Sequence, residues 1–376
     1  MNGIYLHIPF CRQKCIYCAF YSVALLKYKK NYLDALHAEI DATLDYLPSR
    51  KTDTLYMGGG TPTLLSISDI ESIVMHLDRK YQLSQSLEFT IEANPEQLTV
   101  SYLKDLLSLG INRISIGVQS FNDECLQFLG RKHSADEAQE AICMAANAGF
   151  DNISIDLIYG INSRKEGEWE SDLRKAIDLP VRHLSCYALT EEENTRLWRK
   201  IQRHELPHPD EDLACREFKQ LLQLSREGGF EQYEISNFAR QNRISIHNNN
   251  YWNRQPYLGL GPSAHSFNGI SRKWNVSDLF QYIDLIAKGN ATSESEELSL
   301  NDQYNEYVMV KLRTREGIDM NDIEQLFGQS YRRYAEERIS TINPEHIRHI
   351  DTRLTLTDDG KLFADGLAET LFYDGK

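Results

Sequence analysis

Tyr5-Leu-His-Ile-Pro-Phe-Cys11-Arg-Gln-Lys-Cys15-Ile-Tyr-Cys18-Ala-Phe20 is the stretch on which the fold of this chain turns. Its cysteines follow a short aliphatic run, Ile4 to Ile8, at C-x3-C-x2-C spacing. Three thiolates so spaced can ligate three irons of a cubane [4Fe–4S] cluster and leave the fourth iron without a cysteine. Clusters that only carry electrons normally take four cysteines. A site one ligand short therefore implies an iron that binds something else. A zinc ion would want a fourth ligand in tetrahedral geometry. His7 lies on the predicted strand and no second C-x2-C pair exists, so spacing favours iron–sulfur.

Outward from this segment, strand-like and helix-like stretches alternate over the first 190 residues. Predicted strands run over Ile4 to Ile8, Thr54 to Met57, Leu87 to Glu92, Arg113 to Val118, Asn152 to Ile158 and His183 to Leu189. Helical periodicity fills Tyr32 to Leu47, Ile67 to Tyr81, Val100 to Leu109, Ala135 to Ala148 and Glu168 to Leu179. In the first of these, Leu33, Leu36, Ile40, Leu44 and Leu47 mark one apolar face. Gly110 and Gly149 stand where helix C-caps want glycine. Six βα units predict a parallel sheet, either a barrel or an open doubly wound sheet. In both, ligands gather at the carboxyl ends of the strands.

At 376 residues the chain is long enough for two domains. Beyond residue 190 the pattern changes to a helix from about Asp210 to Glu227, a short strand near Tyr233, and a polar, aromatic stretch over 245–275 with little periodicity. Ala291 to Leu300 reads as an acidic linker, and the last 75 residues as helices followed by a β-turn pair, similar to a winged helix. The expected division is 1–240 (barrel and cluster site), 241–290 (connecting region) and 291–376 (helical domain).

A net charge of −14 without a basic stripe argues against nucleic acid as a partner. No apolar run approaches the roughly 18 residues that span a bilayer, and no signal-peptide core opens the chain, so a cytoplasmic protein is expected. Seven cysteines are an odd count, and Cys125, Cys143, Cys186 and Cys215 are too dispersed for a disulfide framework.

Several polar groups fall at strand ends. Gly58-Gly59-Gly60-Thr61-Pro62 follows the second strand, and its bare N–H groups suit close approach by a carboxylate or phosphate. Glu92, Gln119 and Asp156 occupy corresponding places on the next three strands, where a buried polar residue needs a partner or a ligand. Gly259-Leu-Gly-Pro-Ser-Ala264 formally matches a dinucleotide fingerprint, but Pro262 removes an N–H and no clear strand precedes it. His247-Asn-Asn-Asn-Tyr-Trp252 reads from chemistry alone as a polar surface loop. Its imidazole beside large aromatics is also suited to ligate and cover a heme.

The cysteine triplet after a strand, with G-G-G-T-P after the next, resembles the radical S-adenosylmethionine (SAM) superfamily. More narrowly, Tyr5 to Cys11, Ile116-Gly-Val-Gln-Ser-Phe121 and Ile155-Asp-Leu-Ile-Tyr-Gly160 resemble the branch holding oxygen-independent coproporphyrinogen III oxidase and its relatives. The oxidases carry a further cysteine where this chain has Phe20, and a longer segment before the cluster. His247-Asn248 with Tyr251-Trp252 matches instead the H-N-x-x-Y-W signature of HemW-type heme chaperones.

The resemblance implies an α/β fold, a partial (β/α)6 TIM-like barrel with a winged-helix-like C-terminal domain. It makes Cys11, Cys15 and Cys18 the cluster ligands, with SAM on the open iron, and places Tyr5, Gly59 and Glu92 at that SAM. Gly60, Thr61, Gln119, Arg131, Asp156 and Ala188 match a second SAM site of the oxidases, and His265 stands where they have an apolar residue near the first SAM. His247, Tyr251 and Trp252 become the expected heme contacts. The function implied is a heme carrier serving acceptor hemoproteins, with the oxidase as alternative; a homodimer and peripheral contact with membrane hemoproteins stay open.

Overall fold

The structure is a computed structural model describing residues 1–375. Six strands carry the barrel: β1 (Gly3–Ile8), β2 (Lys51–Gly59), β3 (Gln82–Ala93), β4 (Arg113–Gln119), β5 (Asn152–Tyr159) and β6 (His183–Ala188). All five pairings between successive members are parallel. The crossovers are α1 (Lys29–Ala42), α2 (Ile67–Lys80), α3 (Val100–Ser108), the pair α4 (Asp123–Leu129) and α5 (Ala135–Ala148), and α6 (Glu168–Asp178). Every residue of β4 is buried, as expected of a parallel strand covered on both faces.

Local sequence sets the helix ends. Ser66 and Asp69 close a capping box on α2, and Ser134 and Glu137 close one on α5. Gly149 ends α5 in the left-handed region, φ 119°. Helix α1 stops at Ala42, short of the predicted Leu47, yet Leu44 and Leu47 still pack on the core.

After β6 come α7 (Arg196–Gln202), α8 (Glu211–Glu227), β7 (Glu231–Glu234) and β8 (Asn237–Ala239), with β8 antiparallel to β6. The chain then crosses to the other edge through α9 (Ile246–Trp252), β9 (Tyr257–Leu260), β10 (His265–Phe267), β11 (Ser271–Asn275), α10 (Leu279–Ala287) and β12 (Ser293–Glu297). β9 pairs in parallel with β1, giving an open sheet in the order β12-β11-β10-β9-β1-β2-β3-β4-β5-β6-β8-β7. The last segment runs α11 (Leu300–Leu312), β13 (Ile318–Asp319), α12 (Met320–Phe327), α13 (Gln329–Ile339), β14 (Ile347–Ile350), β15 (Arg353–Leu356) and α14 (Ala364–Leu371). That helix–strand–helix–helix–strand–strand order is winged-helix topology, built around its own core from Tyr304 to Leu371. Among the described residues no helix is long and apolar enough to cross a membrane.

Two stretches differ from the sequence expectation. The Asn-rich run after Ser245 is helix α9, not a surface loop. Ser245 caps it, and Glu88 accepts hydrogen bonds from Ile246 N (2.9 Å) and His247 N (2.8 Å). The acidic stretch expected as a linker contains β12, whose Glu296 pairs across from Arg272 and Ser295 from Lys273. Charge on such an edge strand discourages pairing with other chains.

Glu39 of α1 ties the barrel to the later strands. Its buried carboxylate accepts from Gly261 N (2.8 Å), Asn275 Nδ2 (2.5 Å) and Tyr282 OH (2.7 Å). Removing it strands three buried donors at once. Glu39→Ala is expected to cost about 3 kcal/mol or more and to lower the first urea unfolding midpoint, with Glu39→Gln falling between it and wild type.

Candidate functional site

The carboxyl ends of β1–β6 open onto a cavity of about 570 Å³. Cys11, Cys15 and Cys18, all half-buried, line it from one side. The loop that carries them folds back on β1: Val23 N donates to Pro9 O at 2.7 Å and Cys11 N to Val23 O at 3.1 Å. Ile16 anchors its middle, donating to Leu129 O (3.2 Å) and accepting from Leu197 N (2.8 Å). Thr61 Oγ1 lies 3.5 Å from Cys11 Sγ, and Arg131 Nη1 lies 3.4 Å from Cys15 Sγ. Burial pushes the Cys18 thiol up to about 11, so metal binding there must release a proton. No three His, Cys, Asp or Glu side chains among the described residues converge as a single metal ion requires.

The glycine turn is fixed against β1. Gly60 N donates to Ile8 O (2.8 Å) and Thr61 N to Phe10 O (2.7 Å). A Cβ on Gly60 would stand 2.6 Å from Phe10 O, and Gly59 has φ 103° with the His7 ring against it. Glu92 closes the turn from β3, accepting from Gly59 N (3.1 Å) and Tyr56 OH (2.8 Å). Burial, reinforced by Asp156, raises its carboxyl to about 7.

Gln119, Arg131, Asp156 and Ala188 face the same cavity. Gln119 has φ 71° where the pairing of β4 with β5 shifts register. Arg131 reaches Asn94 Oδ1 and Gly117 O, both at 2.7 Å, and Asn94 Nδ2 reaches Thr61 Oγ1 at 3.3 Å. Asp156 accepts from Ser115 Oγ at 3.2 Å, and burial raises its carboxyl. Asn94 and the buried Arg113 escaped the sequence reading; Asn94, just past β3 and ahead of Pro95, was the recoverable one.

Tyr5 and the aromatic pair lie elsewhere. Tyr5, Tyr251 and Trp252 line a neighbouring cavity of about 520 Å³, separated from the first by Ala19 and Phe20, which border both. His247 lines neither. It is 1% exposed, with Nδ1 2.8 Å from Thr54 Oγ1, Nε2 2.8 Å from Tyr251 OH, and its ring stacked 5.1 Å from that of Tyr56. Burial, with Arg113 nearby, pushes its pKa down to about 3. The imidazole is neutral and both nitrogens are occupied.

The Radical SAM superfamily matches residues 5–176, and the HemN C-terminal domain matches residues 298–363. The solved coproporphyrinogen III oxidase (HemN) from Escherichia coli superposes with a TM-score of 0.85 at 24% identity, covering 99% of this chain and 90% of that one. The class is therefore a radical SAM fold with a helical C-terminal domain. The heme chaperone HemW of Bacillus subtilis (strain 168) is 32% identical over 97% of both chains. That of Mycobacterium tuberculosis (strain ATCC 25618 / H37Rv) is also 32% identical, over 98% of this chain and 94% of the relative. The chain belongs to the HemW family.

The raised Glu92 carboxyl carries a pH signature. Its proton is held more tightly in the folded chain than in the unfolded one, so stability falls as pH rises from about 4.5 to about 7 and is level above. The full loss is about 3 kcal/mol. Urea midpoints of the cluster-free protein at pH 5 and pH 8 are expected to differ less in Glu92→Gln than in wild type; an equal difference would contradict the assignment.

Proposed function

We propose that this chain binds heme and hands it to acceptor hemoproteins in the cytoplasm, and that it carries a [4Fe–4S] cluster with SAM. The observation that carries this reading is the match to chaperones named for heme along 97% of both chains. The aromatic cavity beside the cysteines is in keeping with it.

The residues present fit the cluster and SAM. Three thiols face one cavity as the only cysteines there, and the adjacent turn is glycine where a Cβ would collide with backbone. Cys11, Cys15 and Cys18 would hold the cluster, which supplies one-electron chemistry and an iron site for SAM when bound. Arg131 and Thr61 place a cation and a hydroxyl against two of the sulfurs, contacts that would raise the potential of a centre held there. Gly59 and Glu92 form a rigid acceptor edge for an amino group, with Gly60, Thr61, Gln119, Asp156 and Ala188 lining the space beyond.

Anaerobic reconstitution tests the reading. About four irons per chain are expected in wild type and far fewer in Cys15→Ala. The loaded protein is expected to bind hemin and pass it to an apo-hemoprotein, followed by recovery of the acceptor's absorbance. Supplied with reductant, SAM and coproporphyrinogen III, it is expected to yield no protoporphyrinogen; turnover would replace the carrier with an oxidase.

A further inference from the structure

Three imidazoles approach the aromatic cavity between β1, α9 and β10, and they differ in what remains free on them. His7 holds Tyr5 OH at 3.1 Å through Nδ1 and Tyr21 O at 2.8 Å through Nε2. His247, behind the wall, has both nitrogens taken. His265, the first residue of β10, lines the cavity and is exposed, and among the described residues its ring has no hydrogen-bond partner. The protein packed about one side of the ring and then the charge of Arg272 lower its pKa, a direction that favours the neutral form, which binds iron.

The walls suit a flat aromatic body. Phe20 lines the cavity with 69% of its surface open, an unusual exposure for a phenylalanine, and Trp252 and Phe267 add two more aromatic faces to the lining. The indole Nε1 of Trp252 is buried without an acceptor. Two guanidiniums, Arg254 and Arg272, sit over the Phe267 ring at 5.8 and 5.2 Å. One carboxylate serves both: Glu306 takes Arg272 Nε and lies 4.0 Å from Arg254. Arg254 Nε is buried without a partner, and burial lowers the pKa of that guanidinium. Two guanidiniums against one carboxylate leave the pair one positive charge in excess, beside a cavity of about 520 Å³ that falls in the size range of small-molecule sites.

We propose that this cavity is the heme seat, with His265 on the iron, the tetrapyrrole against Phe20 and Trp252, and its carboxylates toward Arg254 and Arg272. The assignment rests on the carrier reading and deepens it. His247 becomes a positioning residue that holds Tyr251, and through α9 Trp252, in the wall.

The test is hemin titration of the cluster-loaded protein, followed by absorbance and by resonance Raman of the iron–ligand modes. Wild type is expected to give a histidine-ligated spectrum. His265→Ala is expected to bind at least tenfold more weakly and to lose that ligation, with free imidazole restoring it. Arg272→Ala is expected to weaken binding while keeping the ligation spectrum. His247→Phe is expected to keep the histidine-ligated spectrum. A wild-type spectrum and affinity in His265→Ala would overturn the seat, as would loss of SAM binding in that variant with hemin binding intact. Loss of ligation in His247→Phe but not in His265→Ala would also overturn it. No hemin binding by wild type would instead overturn the carrier reading itself.

Discussion

Strand β1 is hydrogen-bonded on both sides, to β2 and to β9, and the placement of both cavities follows from that pairing. Ile4, Leu6 and Ile8 turn into the core while Tyr5 and His7 turn the other way, the alternation that any strand imposes. The chain leaving β1 is then clamped. The glycine turn of β2 takes Ile8 O and Phe10 O, and Val23 takes both Pro9 and Cys11. On the opposite side Gly261 lies so near that a Cβ would meet His7 O at 2.6 Å, and Tyr32 OH donates to that same carbonyl at 2.8 Å. One strand thus aims the cysteines at one cavity and the tyrosine at the next.

Charge is distributed unevenly between surface and interior. The chain carries a net −14, yet each cavity contains two arginines: Arg113 and Arg131 in the first, Arg254 and Arg272 in the second. The first pair faces Glu92 and Asp156, whose carboxyls are both raised by burial. Carboxyls raised in this way are less readily charged, so the arginines beside them are less compensated than a count of charges implies. An anionic ligand is consequently attracted inside and repelled from the rest of the surface.

The barrel was legible in the sequence because parallel strands, buried on both faces, read as continuous apolar runs, and because Gly110 and Gly149 sit at helix ends. Helix α9 and strand β12 were not, since each is held by a distant partner: Glu88 for the one, Arg272 and Lys273 for the other. The glycines of Gly259-Leu-Gly-Pro-Ser-Ala264 serve packing. A Cβ on Gly259 would collide with His265 O, as one on Gly261 would with His7 O. The cysteines, the glycine turn and Glu92, Gln119 and Asp156, which spacing singles out, line one cavity. What a sequence does not carry is which atoms are already engaged. His247 stands among aromatics and draws attention, but Thr54, 193 residues away, occupies one of its nitrogens. Arg254 and Arg272 have no motif; only the return of β9–β11 alongside β1 brings them to Tyr5.

Phe20 gives the two cavities a common wall. The thiol of Cys18 points to one, and two residues later the Phe20 ring borders both. On its far side this segment is held by Tyr21, whose carbonyl accepts from His7 and whose hydroxyl accepts from Leu279 N at 2.7 Å. The short run from Cys18 to Tyr21 thus borders both cavities and is fixed at its Tyr21 end. The oxidases that this chain resembles carry a cysteine at the same position, and here a phenyl ring stands in its place on the wall that the two cavities share.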